Sequence, residues 1–229
     1  MRPCRPSQSI CHMKQRAFSL VELLFVMVII AIVAALTLPA FNSMGKAQAL
    51  SGAGSTLVDQ LALARQTAVA QNRVVEVRFY KRRENPSQPA SSANPARFRS
   101  YRTMFYDENV LNAFAQTTMQ DLPTQIVLAE DRVFSTLIFP YTTTTPSRAF
   151  LRENISNAET NVDYQFIRFK PTGGTALSAA GTPDADRWFL TIKSDNDQTV
   201  GTGTSARPAH NYVTIMLDAV SGRVRTYRP

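Results

Sequence analysis

A basic segment near the N-terminus leads into a long apolar one, and together they read Lys14-Gln-Arg-Ala-Phe18-Ser-Leu-Val-Glu22-Leu-Leu-Phe-Val-Met-Val-Ile-Ile-Ala-Ile-Val-Ala-Ala-Leu-Thr-Leu-Pro39. After Glu22 it contains no charge and a single polar residue, Thr37. A helix that spans a bilayer needs roughly 20 apolar residues, and the apolar segment 18–41 is long enough. The sequence therefore predicts a transmembrane helix over residues 18–41.

The charges on either side of this segment predict its orientation. Residues 1–17 carry four basic residues and no acid, and the first cation after the apolar segment is Lys46. Because positive flanks stay in the cytoplasm, we expect the N-terminus inside and the C-terminal body outside. A cleaved secretory signal is the first alternative, but residues 36–40 offer no convincing small-x-small cleavage site. A plain signal anchor is the second, and it would have no use for an acid at Glu22.

The segment Ala17-Phe18-Ser-Leu-Val-Glu22 resembles the start of type IV pilins, a family that includes the pseudopilins of type II secretion. The resemblance implies that a prepilin peptidase cuts between Ala17 and Phe18 and methylates the new amino group. Glu22 then becomes the fifth mature residue, and Pro39 the twenty-second, where pilins often carry a helix-kinking proline. Ala17 departs from the usual glycine. The predicted organisation is a leader over 1–17, a transmembrane assembly helix over 18–41 and a periplasmic pilin-like domain over 42–229.

Glu22 has a physical reason to be in this position. A carboxylate in lipid is costly unless a cation pairs with it. The free amine on Phe18 of a neighbouring subunit would supply that cation and would fix the axial stagger between subunits. We therefore expect Phe18, Glu22 and Pro39 to be the assembly residues.

The remainder of the chain predicts one long helix followed by antiparallel strands, an α+β fold. Leu57, Leu61, Ala64 and Ala68 recur at helical spacing, which places them on one buried face of a helix that ends at about residue 72. We expect the sheet to pack on that outer half of the helix. Strands are predicted from alternation and β-propensity over 74–80, 98–106, 126–128, 165–169, 188–192, 212–217 and 223–227.

The body also resembles one branch of the family, the minor pseudopilin H and its fimbrial relatives. Three motifs carry this resemblance: Leu63-Ala-Arg65-Gln-Thr-Ala-Val69, Phe169-Lys-Pro-Thr-Gly173 and Gly222-Arg-Val-Arg225. Leu122-Pro123 before a strand adds to it. Trp188-Phe-Leu-Thr191 and the terminal Tyr227-Arg-Pro229, with the helix and first strand, look like the pilin-like "Verru_Chthon cassette protein D" group. The resemblance implies a minor subunit.

Signals for catalysis are weak, and we expect no enzymatic activity, no cofactor and no metal site. His210 is the only histidine after the leader, and no nucleophile elbow accompanies it and Asp218. Calcium, which some major pseudopilins bind, would have to use the loop acids, whose spacing lacks an organised ligand set. Those acids are Asp184, Asp186, Asp195 and Asp197.

The C-terminal arginines Arg223, Arg225 and Arg228 have two interpretations. They can protect a solvated edge strand by charge. Alternatively, Gly222-Arg-Val-Arg225 resembles the tail with which fimbrial minor pilins of DNA uptake contact DNA. The net charge is +8; without residues 1–17, 21 basic residues face 17 acidic ones, a surplus of four that does not by itself imply nucleic acid.

The sequence thus favours a structural minor pilin or pseudopilin in the bacterial inner membrane, single-pass, with its C-terminal domain in the periplasm. Its expected partners are the prepilin peptidase, other pilins or pseudopilins in a short filament, and the membrane. The alternative is a DNA-binding minor pilin.

Overall fold

The structure is a computed structural model. It describes residues 19–89, 91–92, 94–110, 112–131, 133–138, 150–156, 159–177, 188–197, 199–200, 207–208 and 211–228, and only the backbone of 36–44, 199–200 and 207–208. The chain divides into two compact units, one ending at Met44 and the other beginning at Gly45.

The only helix in the described part of the chain is α1, which runs from Leu20 to Gln71. In the second unit one face of α1 is buried, and the predicted positions Leu57, Leu61, Ala64 and Ala68 all lie on it. That prediction is confirmed. The helix ends where Asn72 adopts a φ of 49°, a left-handed conformation that asparagine tolerates better than most residues.

The larger sheet has six antiparallel strands. Its order is β3-β2-β1-β7-β6, with β4 also paired to β2. The strands are β1 (Val74–Arg82), β2 (Arg97–Asp107), β3 (Asn112–Ala115), β4 (Gln120–Asp121), β6 (Leu151–Glu153) and β7 (Val162–Phe169).

A second sheet has four antiparallel strands in the order β12-β11-β8-β5, and β9 and β10 form a separate pair. These strands are β5 (Ile126–Leu128), β8 (Trp188–Ser194), β9 (Thr199–Val200), β10 (Arg207–Pro208), β11 (Tyr212–Leu217) and β12 (Val224–Tyr227).

Both of the larger sheets contribute to one hydrophobic core with α1. Leu57 and Leu61 are fully buried, as are Phe169 of the larger sheet and Ile215 of the smaller one. The helix approaches β11 closely at Gly54, where an added Cβ would lie 3.0 Å from Val213 Cγ1. The glycine therefore serves close packing between helix and strand.

The α+β class, with a long N-terminal helix packed on antiparallel strands, is confirmed. The structure differs from the expectation in dividing the strands between two main sheets. The sequence also did not predict β3, β4, β6, β9 and β10, because strands of two to four residues are too short to show alternation.

Candidate functional site

Ala17 and Phe18, which flank the predicted cleavage site, lie outside the described residues. Ser19 precedes α1, and its carbonyl oxygen accepts the N–H groups of Glu22 at 3.0 Å and Leu23 at 3.1 Å. Ser19 is therefore the N-cap of the helix and Glu22 its third residue, the spacing of a capping box. A carboxylate in the first turn is also favoured by the helix dipole.

Glu22 lies in the first segment of α1, residues 20–35, whose other side chains are all apolar and exposed. From Leu20 to Val33 the large hydrophobic side chains are between 47% and 81% exposed, and Glu22 is the only ionisable residue from 19 to 44. Contiguous apolar surface of this size marks a contact with lipid or with other proteins.

Within the described residues, no helix is long and apolar enough to cross a membrane. The predicted transmembrane segment 18–41 includes residue 18 and the side chains of 36–41, which lie outside the description. Pro39 falls inside α1, and nothing of its side chain is described.

The three C-terminal arginines are all exposed, but they differ in their positions and contacts. Arg225 lies on β12, opposite Met216 of β11, and Arg223 directly precedes the strand. Arg228 follows the strand, and its Nη2 donates to Ser51 Oγ of α1 at 2.7 Å. Arg228 is thus engaged with the helix, while Arg223 and Arg225 form no ion pair with any residue that the structure describes.

A junction centred on Arg65 connects the helix to both main sheets. Arg65 Nε donates to the carbonyl oxygens of Gly173 at 2.9 Å and Ser221 at 2.8 Å. The first carbonyl belongs to the turn after β7 and the second to the turn between β11 and β12. The three motifs that carry the resemblance to pseudopilin H therefore meet at this junction, and we call it the Arg65 junction.

The two turns of the Arg65 junction both require glycine. Gly173 and Gly222 have φ values of 85° and 65°, which only glycine adopts freely. A Cβ on Gly222 would lie 2.4 Å from the carbonyl oxygen of Gly173. Asp218 closes the second turn, and the backbone N–H of Ser221 lowers the pKa of its carboxyl group.

We expect Arg65→Met to lower the free energy of unfolding of the second unit by about 1.5–3 kcal/mol, because hydrogen bonds from a charged donor to two carbonyls are lost. For a domain of this size that corresponds to a fall in Tm of roughly 5–10 °C. Thermal unfolding followed by circular dichroism measures it. The matched control is Arg225→Met, which removes an exposed guanidinium and should change Tm by little. Equal Tm values for the two variants would contradict a stabilising role of Arg65.

Sequence reasoning missed a buried ionic cluster on the larger sheet. Glu76 is fully buried and accepts hydrogen bonds from Arg78 Nε at 2.5 Å and Arg168 Nε at 2.6 Å. Arg78 also donates to Glu153 at 2.6 Å, and the Tyr80 hydroxyl donates to the same carboxylate at 2.8 Å. Burial raises the pKa of the Tyr80 phenol, and the bond to Glu153 adds to that rise.

The described residues offer little for catalysis or for metal binding. No group of three potential metal-ligating side chains occurs among them, and His210, Asp184 and Asp186 lie outside the description. A cavity of about 450 Å³ between β2, β5 and β8 contains charged residues. Those charges are used within the protein, since Asp195 accepts from Arg97 Nε at 3.1 Å and Glu130 from Lys81 Nζ at 2.6 Å.

Comparison with known proteins adds to this description. Residues 12–38 match the prokaryotic N-terminal methylation motif. The chain is similar in structure to the minor pseudopilin EpsH from the type 2 secretion system of Vibrio cholerae, with a TM-score of 0.39 and 9% identity, covering 79% of this chain and 97% of that one. It is also similar to the type IV minor pilin FimU of Pseudomonas aeruginosa, with a TM-score of 0.40 and 12% identity, covering 79% and 92%. No curated protein matches the sequence.

The chain thus combines a long N-terminal helix that begins in a methylation motif with antiparallel strands that pack on the outer half of that helix. The N-terminal segment is similar to that of type IV pilins and pseudopilins. The motif implies an N-terminus that is anchored in a membrane.

Proposed function

We propose that the chain is a minor structural subunit of a type II secretion or type IV pilus-like machine, assembled into a short periplasmic filament. The methylation motif over residues 12–38 carries the proposal. Glu22 supports it, because it is the only ionisable residue among the exposed apolar side chains at the start of the helix. A carboxylate in that position is useful when a neighbouring subunit supplies a cation. The role is one of assembly and not of catalysis.

The same segment supports a proposed order of processing, membrane insertion and assembly. A prepilin peptidase removes residues 1–17 and methylates the amine of Phe18. The helix 18–41 holds the subunit in the inner membrane, with the N-terminus in the cytoplasm and the C-terminal domain in the periplasm. Other pilins or pseudopilins then contact this helix, and Glu22 and Pro39 help to set its position among theirs.

Cleavage between Ala17 and Phe18 is the first test. The intact mass of the protein extracted from membranes should show the loss of residues 1–17 and the gain of one methyl group. The protein from a host without prepilin peptidase is the control and should keep its leader. An N-terminus beyond Ala40 would indicate a secretory signal and would refute the proposal.

A DNA-binding minor pilin is the second candidate. It is favoured by Arg223 and Arg225, which are exposed and form no ion pair with the residues that the structure describes. Arg228 adds less than the sequence suggested, because it is bonded to Ser51. Two phosphate contacts would give weak binding whose logarithm falls by roughly 0.9 per contact for each decade of salt. Salt-dependent binding of duplex DNA distinguishes this candidate from a purely structural subunit.

A further inference from the structure

The C-terminal strand β12 is an edge strand with an exposed outer side. Among the described strands it pairs with β11 alone. Arg225, Thr226 and Tyr227 are all exposed. An edge strand presents unpaired backbone N–H and C=O groups, which makes it a template for another strand.

The register shows which backbone groups face outward. The N–H of Asp218 donates to the carbonyl oxygen of Arg223 at 2.9 Å, so these two residues form a hydrogen-bonded pair. Bonded and non-bonded pairs alternate along an antiparallel ladder. The backbone N–H and C=O groups of Arg225 and Tyr227 therefore hydrogen-bond to β11, whereas those of Val224 and Thr226 point away from β11.

The side chains on this edge include two cations without an ion pair in the described part of the chain, although Arg225 lies near enough to Asp218 to help lower the pKa of its carboxyl group. Arg223 and Arg225 form no ion pair with described residues, and the two-residue period of a strand places them on the same side. Three arginines of the larger sheet differ, since Arg78, Arg82 and Arg168 each pair with an acid. The outer edge of β12 is thus a backbone template flanked by two exposed cations.

Both ends of the edge are fixed to the helix. Arg65 bonds to Ser221 before the strand, and Arg228 bonds to Ser51 after it. These two hydrogen bonds hold the chain on either side of the strand, so a partner need not order it on binding.

We propose that β12 binds an extended acidic segment of a partner protein by strand addition. Backbone bonds to Val224 and Thr226 supply the pairing, and acids spaced two residues apart on the added strand face Arg223 and Arg225. A second copy of β12 would bring the same cations and be repelled. Duplex DNA would gain only two phosphate contacts and would leave the outward N–H groups unused.

The test measures the binding of a fluorescent peptide with a Glu-Val-Glu core to the full-length protein in detergent. Thr226→Pro removes an outward N–H, which an edge strand tolerates because no bond to β11 depends on it. We expect this variant to bind at least about tenfold more weakly, with Thr226→Ala within about twofold of the wild type. Arg223→Gln/Arg225→Gln should weaken binding by about 2- to 30-fold.

Two further arms keep the proposal falsifiable if Thr226→Pro does not fold. Two peptides are compared, one methylated on its odd-numbered backbone amides and one on its even-numbered amides, and only the one whose methylated amides face β12 should lose binding. A peptide with a Gln-Val-Gln core should bind as weakly as the arginine variant binds the Glu-Val-Glu peptide. Binding of both methylated peptides at wild-type strength would overturn strand addition. Tighter binding of duplex DNA than of the peptide, unaffected by Thr226→Pro, would assign the surface to nucleic acid, and self-association abolished by Thr226→Pro would assign it to a second copy.

The proposal stands apart from filament assembly. Glu22→Val alters the N-terminal helix and leaves β12 unchanged, so it should not affect peptide binding. Failure of the peptide to bind would therefore overturn the strand-addition proposal without bearing on the role of Glu22.

Discussion

Glu22→Val is expected to reach the membrane and to be processed normally, yet to be absent from filaments. The substitution removes the only ionisable group from residues 19–44. Insertion should be unimpaired, because a charged side chain opposes entry into lipid and valine favours it. Assembly should fall to background, because the neighbouring amine loses the carboxylate that fixes its axial position. Co-purification with the partner pilins from crosslinked membranes measures the loss.

A matched pair of variants separates charge from the structure of the helix start. Ser19→Ala removes the N-cap, which costs about 1 kcal/mol of helix stability, but it leaves the carboxylate in place. Glu22→Gln keeps the shape of the side chain and removes its charge. If charge sets the register, Glu22→Gln fails to assemble and Ser19→Ala assembles. Assembly of Glu22→Gln at the wild-type level would contradict the ionic role.

Much of the fold could be predicted because its signals are local. The buried face of α1 follows from apolar residues at helical spacing, and β11 was predicted over its observed length, Tyr212–Leu217. The division into two sheets was not predictable in the same way. Which strand pairs with which depends on contacts between distant segments, such as β5 with β8, and alternation within a strand carries no information about its neighbour.

The Arg65 junction could not be derived from sequence spacing. Arg65 is separated by 108 residues from Gly173 and by 156 from Ser221. The motifs around these residues were recognisable individually through their resemblance to pseudopilin H. Their meeting point is a property of the fold. The sequence indicated only that the chain turns at Gly173 and at Gly222, and not that the two turns touch.

The first strand shows why alternation can mislead. Val75, Val77 and Phe79 alternate with Glu76 and Arg78, a pattern typical of a strand with one solvated face. Both faces are buried instead, with Glu76 fully enclosed. Long side chains of neighbouring strands cover it, and the Arg168 guanidinium lies 3.5 Å from the centre of the Tyr106 ring. Arg168 and Tyr106 thus shield the Glu76 carboxylate, which the alternating pattern by itself would put on a solvated face.

Glu76→Gln is expected to lower the free energy of unfolding by about 3–5 kcal/mol, because it removes the buried carboxylate of an ionic cluster and leaves one of its two arginine partners without an acid. Arg168 has no other acid among its ion pairs in the described residues, whereas Arg78 keeps Glu153. Urea denaturation should show a fall in the midpoint of roughly 1–2 M with little change in slope. A loss of this size is a large fraction of the stability of a typical domain.

Two controls determine whether burial of the charge is the cause. Arg152→Ala breaks an exposed pair with Asp163, in which the arginine side chain is 67% exposed, and should cost no more than about 1 kcal/mol. The double variant Glu76→Leu/Arg168→Met removes the carboxylate together with the cation that has no other acid, while Arg78 remains paired to Glu153. Because no buried charge is then left alone, the double variant should be more stable than Glu76→Gln despite carrying more substitutions. A double variant less stable than Glu76→Gln would show that packing around Glu76, and not the uncompensated charge, dominates the loss.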